Sequence, residues 1–137
     1  MTSQEAATRI QVVLAHLWMI RNFLKHADEI QDDEAMMDVH RFIYDSIRAV
    51  EPAWQRSDWD DYLSRIRRKI SKLKKTAQFF AAEYTRVSSH TNFEMASLSL
   101  RGAVEQLEEI VRQAAGSTSC DPEPAEPADS DPDRPFN

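Results

Sequence analysis

The sequence predicts an all-α protein: an antiparallel up-down-up-down four-helix bundle over residues 1–115, followed by a disordered acidic, proline-rich tail over 116–137. Three observations carry that prediction. Residues 1–115 contain one proline, Pro52, and one glycine, Gly102, and so few breakers over that length point to helices. Apolar residues in this body recur at alternating steps of three and four, the spacing of one helix face. The final stretch, "GSTSCDPEPAEPADSDPDRPFN", holds five of the six prolines and almost no apolar side chains, so burial cannot offset its ordering entropy.

The first helix is expected over about residues 4–27, with Ile10, Val13, Leu14, Leu17, Ile20 and Leu24 on its inner face. The second carries Met36, Val39, Ile43, Ile47 and Val50 and should end before Pro52, because the residue before a proline is pushed out of the helical region. The third, over 57–88, is a long helix with the clearest stripe, from Trp59 through Leu63, Ile66, Ile70, Leu73, Ala77 and Phe80 to Tyr84 and Val87. Ser57 with Asp60 resembles a Ser-x-x-acid start signal. The fourth opens at "TNFE", where Thr91 and Glu94 can form a capping box, and continues with Phe93, Ser97, Leu100, Val104, Leu107 and Val111. Trp54 is placed in the loop between the second and third helices, covering the bundle end, and Trp59 is expected to be buried. Short connections favour antiparallel neighbours.

Charge and composition exclude several classes of function. The net charge of −6 is uneven: six acids against Arg134 give the tail −5, which leaves the body −1. A nearly neutral body gives no bulk electrostatic case for membrane or nucleic acid. The N-terminal residues lack a basic-then-apolar leader, no apolar run nears the roughly 20 residues that span a bilayer, and the single Cys120 cannot form an internal disulfide. The expectation is a cytoplasmic chain with no cofactor and no metal. Gly-rich phosphate loops and nucleophile elbows are missing, and the acids over 28–38 lack the spacing of an EF-hand loop.

Antiparallel topology gathers Arg21, His26, Glu29, His40, Tyr84, His90, Asn92 and Glu94 at one end of the bundle. About 100° of turn per residue puts Arg21 and His40 at the edges of their core stripes, and it points His26 away. Arg21, His40 and Tyr84 are expected to meet there, with His90 nearby, chiefly as a hydrogen-bonded polar cap. A di-iron site needs Glu-x-x-His on two helices, and the chain has no such pair; zinc held by His26, His40 and His90 has little more behind it.

A second concentration is "SRIRRKISKLKK", where Arg65, Arg67, Arg68, Lys69, Lys72, Lys74 and Lys75 occur without an acid. The functional reading of this stretch is a surface for RNA, phosphate or an acidic partner. Part of it should instead pair with helix four, Lys72 and Lys75 lying beside Glu105, Glu108 and Glu109. No aromatic interleaves the basic residues on the exposed face, which argues against single-stranded nucleic acid. A further expectation is that the acidic tail folds back over this patch.

The residues "RNFLKH" (21–26) resemble the R-x(4–6)-H motif of the HEPN superfamily, matching at Arg21, Asn22 and His26. Those proteins are all-α, commonly dimeric, and many are metal-independent ribonucleases. The resemblance would make Arg21 and His26 catalytic residues acting on RNA. The family carries its motif on a late helix, whereas here it lies on the first. The reading with most support is a non-enzymatic interaction or regulatory module that binds a protein partner or a second copy of itself; the ribonuclease is the alternative.

Overall fold

The computed structural model describes residues 1–117. Helix α1 spans Ser3–His26, α2 Glu34–Gln55, α3 Trp59–Glu83 and α4 Thr91–Ser117, with single 3₁₀ turns at Asp28–Ile30 and Tyr84–Arg86. No strand occurs among the described residues, and none of their helices is long and apolar enough to cross a membrane. The tail expected to be disordered lies outside the described residues, apart from Gly116 and Ser117, which continue α4.

Each helix starts where a side chain can take up an unpaired backbone N–H. Thr2 and Glu5 form a capping box on α1: the Thr2 hydroxyl accepts from Glu5 N–H at 3.0 Å, and the Glu5 carboxylate accepts from Thr2 N–H at 2.8 Å. Asp33 caps α2 by accepting from Met36 N–H at 3.1 Å. Asp58 does the same for α3 toward Asp61 N–H at 3.1 Å, so the cap lies one residue after the expected Ser57. On α4 the position before the helix is His90 rather than Thr91; its Nδ1 accepts from Asn92 N–H at 2.9 Å. The far end of α1 is closed by Gln31, whose side-chain amide donates to the carbonyls of Lys25 and Ala27, each at 2.8 Å.

Helix α2 does not stop before Pro52 but runs through it to Gln55. Two contacts hold the turn beyond the proline: Ala53 is fully buried, and the Trp54 ring lies 5.3 Å from Trp59 and 5.7 Å from Tyr62. Trp54 is therefore the last turn of a helix, not a loop, and it covers the bundle end as expected. Trp59 is only half-buried. The turn into α3 is a Schellman motif: Asp58 N–H donates to the Ala53 carbonyl at 2.9 Å and Ser57 N–H to that of Trp54 at 3.0 Å. Its left-handed position, normally glycine, is occupied by Ser57 with φ 57°.

The four helices share one core that includes Leu17, Leu24, Ile43, Ile66, Leu73, Phe80, Phe93, Leu100 and Leu107. Helix α1 packs on α2 and α4, α3 packs on α2 and α4, and α1 meets α3 across the centre. Tyr62 marks that central contact, donating to Gln11 at 2.7 Å. Burial holds its hydroxyl well above the ordinary phenol range. Side-chain pairs fix which ends meet. Ser3 bonds Asp60, Arg9 bonds Gln113, and Arg86 bonds Asp33, a pattern that fits the up-down-up-down arrangement.

Candidate functional site

Two regions gather the residues singled out in the sequence: the seam between α1 and α2 near one end of the bundle, and the outward side of α3.

In the seam, Arg21 leaves α1 toward α2. Its guanidinium carbon sits 4.8 Å from the Trp18 ring and 4.6 Å from the Tyr44 ring, and the two rings lie 5.8 Å apart. One terminal nitrogen donates to the Asn22 side chain at 3.2 Å, while Nε is buried without a hydrogen-bond partner. Across the seam His40 is buried, at 5% exposure, and its Nε2 also has no partner. Burial pushes the imidazole below its ordinary pKa; Arg41, Arg21 and Lys25 act in the same direction, and Asp38 opposes them. His40 thus lies in the field of Arg21, which together with burial disfavours its charged form.

The other expected members of this cluster lie apart from it. Tyr84 is half-buried and packs its ring 5.8 Å from Phe80, with no hydrogen bond to His40 or Arg21. His90 is exposed and serves the start of α4 through its Nδ1. His26 ends α1 on an exposed position. Five residues separate it from Arg21, so the two side chains leave the helix about 140° apart. The histidine within electrostatic reach of Arg21 is His40, from the neighbouring helix. Among the described residues no group of three or more His, Cys, Asp or Glu side chains could hold a metal ion.

On α3 the cations divide by direction. Arg65 turns toward α2: it donates to Asp61 at 3.0 Å and to the Ala49 carbonyl at 3.4 Å. Lys72 faces the same way, its ammonium 4.6 Å from the Phe42 ring. Lys74, not Lys72 or Lys75, reaches helix α4 and pairs with Glu108 at 3.3 Å. Lys72 lies two positions from Lys74 and so about 200° round the helix, which turns it to the opposite neighbour. Glu109 instead serves Arg112 and Gln113 on its own helix. Arg67 and Lys69 are half-buried, whereas Arg68 and Lys75 are exposed and lie two turns apart on the outward side. No aromatic interleaves these cations there; the first exposed ring is Phe79, one turn beyond Lys75.

Sequence reasoning did not single out Trp18 and Tyr44, the rings that hold Arg21. Their signal was present: Trp18 precedes Arg21 by three residues and so shares its side of α1. Compared with protein-family models, with curated proteins and with solved structures, the chain matches none.

Proposed function

We propose that this chain is a small, non-enzymatic helical-bundle module that binds an acidic partner protein through the basic face of α3. The observation that carries this reading is the disposition of seven cations over residues 65–75 with no acid among them, Arg68 and Lys75 projecting outward. Arg65 and Lys74, held by Asp61 and Glu108, border this face and fix the helix against its neighbours. An exposed array of one sign attracts a partner of the other and speeds encounter more than it adds affinity. Such a contact is weak and salt-dependent by nature, as suits a regulatory surface.

The test is fluorescence anisotropy of a labelled ten-residue polyglutamate peptide added to the full chain. Binding that weakens with salt, and falls at least tenfold in Arg68→Glu/Lys75→Glu, is expected. A peptide that binds the reversed variant as well as the parent would refute the reading. The ribonuclease alternative needs Arg21 and His26 at a common cleft. Incubating a mixed RNA with the protein in chelator, with His26→Ala beside it, should give equal and negligible cleavage.

A further inference from the structure

Four of the five large apolar side chains that stay exposed among the described residues lie on α1 and α4: Val12, Met19, Met95 and Leu98. These two helices pack together, and two contacts fix how. Arg9 donates to Gln113 at 3.4 Å, and the Phe23 ring meets Phe93 edge-on at 5.2 Å, so the start of α1 lies by the end of α4. Counting back from Phe23 and forward from Phe93 brings Met19 level with Ser97, one residue from Leu98.

Direction follows from the turn of about 100° per residue. Met19 lies about 40° and Val12 about 20° from Phe23, so both sit on the shoulder of α1 that faces α4. On α4, Met95 shares the direction of Gln113, which reaches α1; Gly102 lies about 20° from it and Leu98 about 60°. One apolar face therefore spans the outer side of the α1–α4 pair. Arg21 is the one arginine, lysine or carboxylate over 12–23, and it turns to α2. On α4, Glu94, Arg101 and Glu105 stand about 80–120° from Gln113, on the side where Glu108 meets α3, and form a polar rim.

Gly102 is a second, independent observation. Glycine inside a helix destabilises it relative to alanine, yet a Cβ built at Gly102 would meet nothing within 4 Å. Nothing in the described residues calls for the missing side chain. A second body approaching α4 closely does.

We infer that this face binds a second copy of the chain, in a weak two-fold dimer whose two α4 helices cross antiparallel at Leu98. A two-fold contact must be self-complementary, and this face is so in shape and in charge. With the axis at Leu98, Met95 of each chain falls within one residue of the partner's Gly102. A flexible thioether then fills the space over a missing side chain, twice. Arg101 of each chain falls within one residue of the partner's Glu94, so two rim pairs of opposite charge flank the apolar centre. Met19 borders Leu98 on the α1 side of each copy.

The size of the face sets the strength. Val12 to Phe23 runs about 16 Å along α1 and Thr91 to Gln106 about 22 Å along α4, and two helices side by side are about 20 Å wide. The contact plane is thus about 400 Å², against roughly 800 Å² per partner in a standard stable interface. The two copies exchange rather than stay joined. The dimer uses none of the α3 cations and is independent of the acidic-partner reading.

The test is sedimentation equilibrium of the full chain, kept reduced, from about 10 µM to about 500 µM, the range over which a small interface associates. A shift from monomer toward dimer mass is expected. Leu98→Glu sets two carboxylates together at the axis and should weaken association at least tenfold, with the far-ultraviolet circular dichroism unchanged. Gly102→Ala should raise the unfolding midpoint measured at about 10 µM while weakening association at least threefold. A variant that folds better and associates less is not explained by damage to the bundle. At low salt Glu94→Arg and Arg101→Glu should each weaken the dimer, and the double swap should restore it. A chain still monomeric at about 500 µM overturns the proposal and leaves the face to another occupant. Mass that grows past the dimer, or association that Leu98→Glu leaves unchanged, overturns it too. A double swap that restores nothing overturns the antiparallel register.

Discussion

The seam between α1 and α2 and the outward side of α3 both carry positive charge, but they hold it in different ways. In the seam, Arg21 packs on Trp18 and Tyr44, its Nε is buried, and a terminal nitrogen donates to Asn22. On α3, Arg68 and Lys75 are exposed on a regular helix whose core side is filled by Leu63, Ile66, Leu73 and Ala77. The difference lies in the neighbours rather than in the charge. A guanidinium laid over two adjoining rings trades hydration for contact with them and becomes part of the packing. A cation on a solvated face keeps its hydration and can give it up to a partner.

Breaking the seam should produce the largest effect. Trp18→Ala removes a half-buried ring that touches both Tyr44 and Arg21, and a stability loss of about 2–3 kcal/mol is expected in denaturant unfolding. A double-mutant cycle with Arg21→Ala should show coupling of about 1 kcal/mol. Coupling indistinguishable from zero would mean that the rings do not hold the guanidinium, and the contrast with α3 would collapse. The reversal Arg68→Glu/Lys75→Glu should do the opposite. Stability should stay within about 0.5 kcal/mol, as for surface changes generally, while acidic-peptide binding is lost. Unfolding of that variant would show that the outward cations are structural after all.

The helices were legible in the sequence because burial imposes its period on the apolar residues, and every residue of the α1 stripe from Ile10 to Leu24 is indeed buried. Boundaries were less legible where local and tertiary preferences conflict. Pro52 marks a stop by its own chemistry, yet burial of Ala53 and the edge-to-face packing of Trp54 on Trp59 carry α2 one more turn. The wheel placed Arg21 and His40 correctly because both belong to regular helices. It could not place Tyr84 or His90, which belong to the 3₁₀ turn and the connection before α4, where 100° per residue no longer applies. The pairing of Lys74 with Glu108 was also out of reach. Sequence spacing shows which cations share a face, but not which neighbour that face meets.

The seam also makes a prediction about pH. The folded state holds the His40 pKa below its ordinary value of about 6.5, chiefly through burial. Between those two values the unfolded chain binds a proton that the folded chain does not. Stability therefore rises with pH across that window and is lost as pH falls from about 6.5 toward the folded value. Thermal unfolding from pH 7.5 to 5 should show this loss, and His40→Leu should flatten it. An identical slope in the variant would place the titrating group elsewhere.

The smallest effect is expected at the end of the molecule where the basic face begins. Ser57 adopts φ 57° in the turn that hands α2 over to α3. A side chain in the left-handed region costs about 1–2 kcal/mol, which glycine avoids, although glycine also loses more entropy on folding. The two contributions leave a net gain of about 0.5–1 kcal/mol for Ser57→Gly, measured as a higher denaturant midpoint with an unchanged slope. Ser57 Oγ accepts no capping bond from α3, since Asp58 performs that task, so nothing offsets the gain. The same variant sharpens the contrast between the regions. Tightening this turn steadies the first residues of α3 without altering any cation on it, so acidic-peptide binding should stay constant while stability rises. Binding that strengthened along with stability would show that the basic face depends on the order of the turn beneath it, not on charge alone.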